Sequence, residues 1–426
     1  MSTRLAAALH WMPPGLDLSR YWSRFMILVL VDSMERYSFF RRLISPIKSE
    51  ARFLFVTTEP LAHLLLIARG FRSAYVNRRQ AVAGKYMEEA EATNFRRSIE
   101  ILSGCLSEDR AKQDAASVIG GIREILSEHD IEACLLWNGQ QLAGRVLIYL
   151  CDIYGIRRRV MEISNLPNKL FVDSQGVNAL STIGGNPSIL DGLTMPDEQK
   201  HVDWLVEYEN YKASPLPQSA VTFSKKAKRL VNYALKYPFG GACRTAFSQV
   251  RRRGRGKTMF VTGPCSLEEL KQQRYMFLPL QVSSDTQIKL HSDVDNIAAI
   301  RIAAVKAKDL ALRLIVKIHP AEMDVLAINE IVSMRKNFEF EIVTLATNDL
   351  IRYADEVVTI NSTVGLEALL YGKRVTCLGR CFYVNFDRAR LLKYIHGYLT
   401  DGIDYFGSGN ISARAARSVC GLLEKS

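Results

Sequence analysis

From about Arg24 onward the chain alternates unbroken apolar runs with stretches of helical periodicity. RFMILVLVDS stays apolar until Asp32 and Ser33, which suits a parallel strand buried on both faces. A helical stretch over Met34–Ile47 follows, then ARFLFVTTE as a second strand. Helical patterns fill Ala90–Ile101 and Ala111–His129. IEACLLWNG reads as a third strand, broken at its end by Asn138-Gly139, and the helix Gln140–Tyr154 leads to a fourth, RRRVMEIS. This βα alternation predicts a doubly wound sheet.

The second half repeats the pattern. RYMFLPLQ is a strand, Val294–Leu310 a helix, and LRLIVKIHP a strand. After another helix come EIVTL, DEVVTINST, the helix GLEALLYG and the strand RVTCLG. The expected class is therefore α/β, with two Rossmann-like domains whose parallel sheets face across a cleft. Ligands of open α/β sheets sit outside the carboxyl ends of the strands.

Composition narrows the partners. The 426 residues exceed what one core usually holds, which agrees with two domains. Hydrophobic residues at 48% and charged residues at 23% exclude a disordered or fibrous chain. The net charge of +12 predicts a polyanionic partner. Eight cysteines form no CxxC pair and no zinc-spaced cluster, and read as reduced thiols of a cytosolic protein. Met26–Val31 and Leu61–Ala68 are the most apolar runs, far short of the ~20 residues of a spanning helix. Pro13 and Pro14 follow the first apolar stretch without a cleavage site, so no signal peptide is expected.

Much of the positive charge is local. Lys225–Lys257 holds eleven Lys or Arg and no acidic residue. It reads either as a solvated linker face or as an attachment site for an anionic membrane surface, with Phe223, Leu230, Val231 and Ala234 on one helical face. No nucleic-acid partner is expected, because no RNP motif, zinc finger or helix-turn-helix accompanies the charge. GRGKT is not a P-loop, since Arg251 stands where the motif needs glycine.

Candidate chemistry gathers at strand ends. His319-Pro320 closes LRLIVKIHP, where an imidazole can bind phosphate or protonate a leaving group. Asn361-Ser362-Thr363 precedes a helix whose N-terminus is a ready anion site, although capping alone explains Ser362 and Thr363 equally well. Glu367, one turn in, either accepts ribose hydroxyls or complements the helix dipole. Gln281 ends a strand and Asp285 follows in a polar loop, as nucleophile, base or cap. Glu162 ends a strand of the first half, with Asp173, Gln175, Gly176 and Asn178 beyond it.

Taken together, W-N-G (137–139), E-x-x-x-L-P-x-x-L-x-x-D-x-x-G-V-N (162–178), L-P-L-Q-V-x-x-D (278–285), K-I-H-P (317–320) and N-S-T-V-G-L-E-A-L-x-Y-G-K (361–373) resemble one family. It is the bacterial capsule polysaccharide biosynthesis and export family, with its KpsS- and KpsC-type β-Kdo glycosyltransferases. The resemblance spans roughly residues 130–385, and the length suits a single-module KpsS-like member.

The resemblance implies a GT-B-like retaining transferase that moves Kdo from CMP-Kdo to a phospholipid or glycolipid acceptor in building the Kdo linker of a capsule. Asp285, Glu162 and His319 would be catalytic: Asp285 forming a covalent sugar adduct, Glu162 activating the acceptor, and His319 holding the CMP phosphate. Gln281, Pro320, Asn361, Ser362, Thr363 and Glu367 would join His319 in binding the donor, and Asn138, Gly139 and Asn178 would lie on the acceptor side. No cofactor or metal is implied. Residues 1–22 would be a leader, 23–215 the acceptor-side domain, 216–258 the basic linker, 259–385 the CMP-sugar domain and 386–426 C-terminal helices. The location implied is the cytoplasmic face of the inner membrane, beside other capsule assembly proteins. Two other readings remain open: a transferase of another CMP-nonulosonic acid such as sialic acid, and a non-catalytic export or assembly protein.

Overall fold

The computed structural model describes residues 26–164, 166–213, 223–241 and 266–422. Apolar runs form strands as the pattern predicts. Strands β1 (Met26–Val31), β2 (Arg52–Thr57), β3 (Arg72–Tyr75), β4 (Ile131–Trp137), β5 (Arg157–Ile163) and β6 (Lys169–Asp173) belong to a first sheet. Strands β7 (Tyr275–Pro279), β8 (Arg313–Lys317), β9 (Glu341–Ile342), β10 (Glu356–Thr359) and β11 (Arg374–Cys377) form a second, and β12 (Thr400–Asp401) returns to the first.

The first sheet runs β12-β6-β5-β4-β1-β2-β3, parallel from β5 to β3, with β6 antiparallel to both β5 and β12. The second runs β11-β10-β7-β8-β9 and is parallel throughout. In each, chain order reverses beside the first strand, between β1 and β4 and between β7 and β10. A crevice opens at such a switch point. The expected α/β class with two Rossmann-like, GT-B-like halves is what the structure has.

Ten helices matter below: α1 (Met34–Ile44), α2 (Pro60–Ile67), α3 (Glu108–Glu128), α4 (Leu142–Tyr154), α5 (Glu198–Ala213), α6 (Phe223–Phe239), α7 (Thr286–His291), α8 (Asn296–Asp309), α9 (Thr363–Leu370) and α10 (Ala413–Cys420). Apolar layers cover both faces of each sheet. One layer of the first sheet continues through Phe171 into Leu366, Phe382 and Tyr394, which joins the halves through a shared core. α10 packs against the turn Ser45–Ile47 that follows α1 and against β12, and its buried residues join the same core as β1 and α1, so the chain's last described helix completes the first half.

Two local readings differ from the structure. The helix expected over Ala90–Ile101 is broken into short turns, because Asn94 adopts the left-handed conformation and Ser98 is extended. Strands β3 and β6 carry no long apolar run and are absent from the sequence pattern. EIVTL contributes only two residues of strand.

Candidate functional site

The carboxyl ends of β7 and β10 bring the second half's candidates together. Gln281 follows β7 and is 6% exposed. Asn296, at the start of α8, holds its backbone from both sides, donating to its carbonyl at 2.7 Å and accepting from its N–H at 3.3 Å. That clamp fixes the amide side chain across the switch point. Its Nε2 donates to Asp285 Oδ2 and to Asn361 Oδ1, both at 3.1 Å, while its Oε1 accepts from Asn361 N at 3.2 Å. Asp285 caps α7, its Oδ1 accepting from Gln287 N at 2.8 Å. Asn361 Nδ2 donates to the carbonyl of Gln287 at 3.0 Å. Asp285 and Asn361, far apart in sequence, thus share one amide.

His319 lies at the end of β8, with its Nδ1 accepting from Ala321 N at 3.1 Å. The neutral ring therefore carries its proton on Nε2, free to donate. Desolvation lowers its pKa, opposed by the Asp285 and Glu322 carboxylates. Pro320 turns the chain away from the strand and is exposed. Glu322, missed by the sequence reading, is nearly buried: its Oε2 accepts from Ser283 N at 2.6 Å and its Oε1 from Met323 and Asp324 N at 2.9 Å. It pins the His319 loop to the Asp285 loop.

Ser362 caps α9, its Oγ accepting from Val364 N at 3.2 Å, and Tyr383 donates to its carbonyl. Thr363 begins the helix. Glu367 is 5% exposed and paired with Lys212 of α5 at 2.7 Å. Its carboxylate therefore already holds a partner.

In the first half, Asn138 and Gly139 follow β4 with φ of 58° and 73°, a turn that two successive left-handed residues make possible. A Cβ at Gly139 would lie 2.5 Å from Ile148 Cδ1, and one at Gly144 would lie 3.0 Å from Gly139 Cα. Asn138 Nδ2 donates to Glu162 Oε2, and Ile163 N donates to Oε1 at 2.9 Å. Burial raises the Glu162 pKa, with Arg36 opposing. Asp173 is structural, accepting from Gln175, Gly176 and Thr182 N. Asn178 reaches the other half: its Nδ2 donates to Gln287 Oε1 at 3.0 Å, two residues on from the Asp285 cap.

Sequence reasoning also missed a buried group at the first sheet's switch point. Asp32 follows β1 and is 7% exposed, and burial pushes its pKa to about 7 against the pull of Arg36. The Arg36 guanidinium stacks 4.3 Å from the Trp137 ring centroid and also acts on Glu162. Polar residues after apolar strands were the available signal. Their convergence depends on strands β1, β4 and β5 lying side by side.

Among the described residues, no group of three or more His, Cys, Asp or Glu is placed to hold a metal ion, and no helix is long and apolar enough to cross a membrane. On α6, Leu230 and Val231 are exposed while Asn232 and Lys236 face the body, both bonding Glu59. Of the basic segment, residues 242–257 lie outside the described residues.

Two Rossmann-type halves with polar networks at both switch points define an α/β protein of GT-B-like build. The chain belongs to the capsule polysaccharide biosynthesis protein family, whose model matches residues 156–386, more than half of its length. It is 26% identical over 296 residues to the capsule polysaccharide export protein KpsS of Escherichia coli, covering 62% of this chain and 71% of KpsS. Protein FixF of Sinorhizobium fredii is 37% identical over 113 residues, 26% of this chain and only 27% of FixF. Thermosulfurimonas dismutans KpsC, a β-Kdo 2,7 transferase, is 18% identical with a TM-score of 0.35, over 71% of this chain and 88% of that one.

Proposed function

We propose that the protein is a glycosyltransferase of capsular polysaccharide assembly that moves Kdo from CMP-Kdo to a lipid-linked acceptor with retention. The observation that carries this reading is the Gln281 amide, which fixes Asp285 and Asn361 on either side of the second switch point. An oriented carboxylate beside an exposed imidazole and a helix N-terminus suits displacement of a phosphate leaving group.

Asp285 attacks the anomeric carbon, the bond from that carbon to the phosphate oxygen breaks, and CMP departs as an anion. His319 donates from Nε2 to the phosphate, and the first turn of α9 at Ser362 and Thr363 offers backbone N–H groups to it. Glu162 then takes the proton of an acceptor hydroxyl, which attacks the anomeric carbon and releases Asp285. Two displacements retain configuration, as in retaining glycosidases. A raised carboxylate pKa makes Glu162 the stronger base. Glu367 reaches a donor ribose only by giving up Lys212. The exposed Leu230–Val231 face of α6, with the exposed Lys228 near it in sequence, lies on an anionic membrane surface.

Mass spectrometry of the intact protein with CMP-Kdo tests the reading. The expected result is CMP release with a Kdo-sized adduct, lost in Asp285→Ala, and turnover reduced about a thousandfold or more in that variant. Full turnover in Asp285→Ala would overturn the mechanism. Turnover with CMP-sialic acid and none with CMP-Kdo would reassign the donor.

A further inference from the structure

The seam between the halves gathers positive charge. Arg97, just before the short helix Ile99–Leu102, crosses the seam and donates from Nη2 to the carbonyl of Leu290 at 2.7 Å. His291 follows at the end of α7 and is 3% exposed, and its carbonyl accepts from Arg380 N at 2.8 Å. Arg145, in the first turn of α4, donates from Nη2 to Gln140 Oε1 at 2.6 Å. Its Nε and the Nε2 of His291 are both buried without a hydrogen-bond partner.

These groups lie close enough to act on one another. Desolvation, then Arg97, Arg380 and Arg145, hold the His291 pKa down to about 4, and desolvation with Arg97 lowers Arg145 to about 10. The neighbouring acids offset this only in part: Glu100 acts on Arg145 but is bonded to Arg78 and to Leu142 N, and Asp293 is paired with Arg380 at 2.9 Å. Like charges converging with unpaired buried nitrogens are costly unless an anion joins them.

We propose that Arg97, Arg145 and His291 form an oxyanion subsite on the seam, which receives an anionic group of a substrate. This rests on the transferase reading. The group is either a phosphodiester of the acceptor or the carboxylate of the donor sugar. Asp285 caps one end of α7 and His291 closes the other, about 9 Å apart at 1.5 Å per residue. That spacing favours the acceptor phosphodiester, because a donor carboxylate is attached directly to the carbon that Asp285 attacks.

The test pairs binding with kinetics on the full chain. Phosphorus NMR follows inorganic phosphate binding to the wild type and to the Arg97→Gln/Arg145→Gln variant. Steady-state kinetics use CMP-Kdo with glycerophosphoglycerol or with a neutral glycosylglycerol. The expected result is phosphate affinity weakened about tenfold, with the glycerophosphoglycerol KM raised by a similar factor and kcat nearly unchanged. Arg145→Lys should recover part of both, which a merely structural arginine would not predict. A raised donor KM instead assigns the subsite to the sugar carboxylate. Unchanged phosphate affinity and unchanged KM values in a folded double variant would overturn the subsite. Phosphate binding through these arginines without any turnover would sink the transferase reading and leave the subsite standing.

Discussion

Asp32 shows how burial sets the behaviour of a single carboxyl. Its folded pKa of about 7 lies above the ordinary 3.8, and its Oδ1 has no hydrogen-bond partner. The folded protein thus holds a proton that the unfolded chain releases, so the protonated group adds stability below about pH 4 and loses it as pH rises to 7. A difference of that size corresponds to about 4 kcal/mol at most. Asp32→Asn should therefore raise the melting temperature clearly at pH 8 and hardly at pH 4.5. A pH-independent difference would show that Asp32 ionises normally. Gly365 presents the opposite case, where space rather than charge decides. A Cβ there would meet Tyr383 Oη at 2.5 Å and Thr359 Cγ2 at 2.9 Å. Gly365→Ala should cost about 1–3 kcal/mol and displace the tyrosine that supports the Ser362 cap, read as a lower melting temperature with weaker CMP binding.

At the scale of elements, what was legible depended on whether the fold or the local sequence sets the pattern. β1 is apolar along its whole length and β4 everywhere but Glu132, because both faces are covered, so they stand out in the sequence. β3 is an edge strand of half-exposed residues, RSAY, and carries no such signature. β6 folds back from β5 through a turn containing Asn168 at φ 53°, and it was read only as part of a motif. Gln281, Asp285, His319 and Asn361 were named from strand ends, whereas Asn296 and Glu322, which orient them, were not. Supporting residues sit in helices and loops with no local mark of what they touch. Arg42 on α1 is such a residue. It is 4% exposed and donates to the carbonyls of Asp404, Tyr405 and Gly409 at 2.8, 2.9 and 2.6 Å. It ties the chain's return segment to the first half. Arg42→Met should cost about 3 kcal/mol or more through carbonyls left unpaired, and Arg42→Lys should recover little, because an ammonium cannot span three acceptors. Denaturant titration of the two variants separates fork geometry from charge.

For the whole molecule, the contacts between the halves carry a titration that the sheets do not. His291 lies on the seam with Arg97, Arg145 and Arg380, and His396 meets His201 at 3.1 Å where α5 packs on the returning chain. Desolvation and neighbouring cations hold both His291 and His396 near pKa 4, below the ordinary 6.5. Each is neutral in the fold and protonates more readily when exposed, so stability is full above pH 6.5 and lost as pH falls toward 4. This runs against Asp32, whose contribution grows over the same fall in pH. The two sit in different places: Asp32 under the first sheet's switch point, the histidines where the halves and α5 meet. Acid should therefore loosen the junction while β1 and β4 stay closed. α5 should loosen with it, since its Lys212–Glu367 and Glu209–Arg352 pairs already bind the second half. Hydrogen exchange at pH 5 against pH 7.5, corrected for intrinsic rates, should show protection lost first over 286–291, 394–399 and 198–213. Protection lost equally in β1 and β4 would mean that the molecule opens as one unit and that its histidines do not govern the seam.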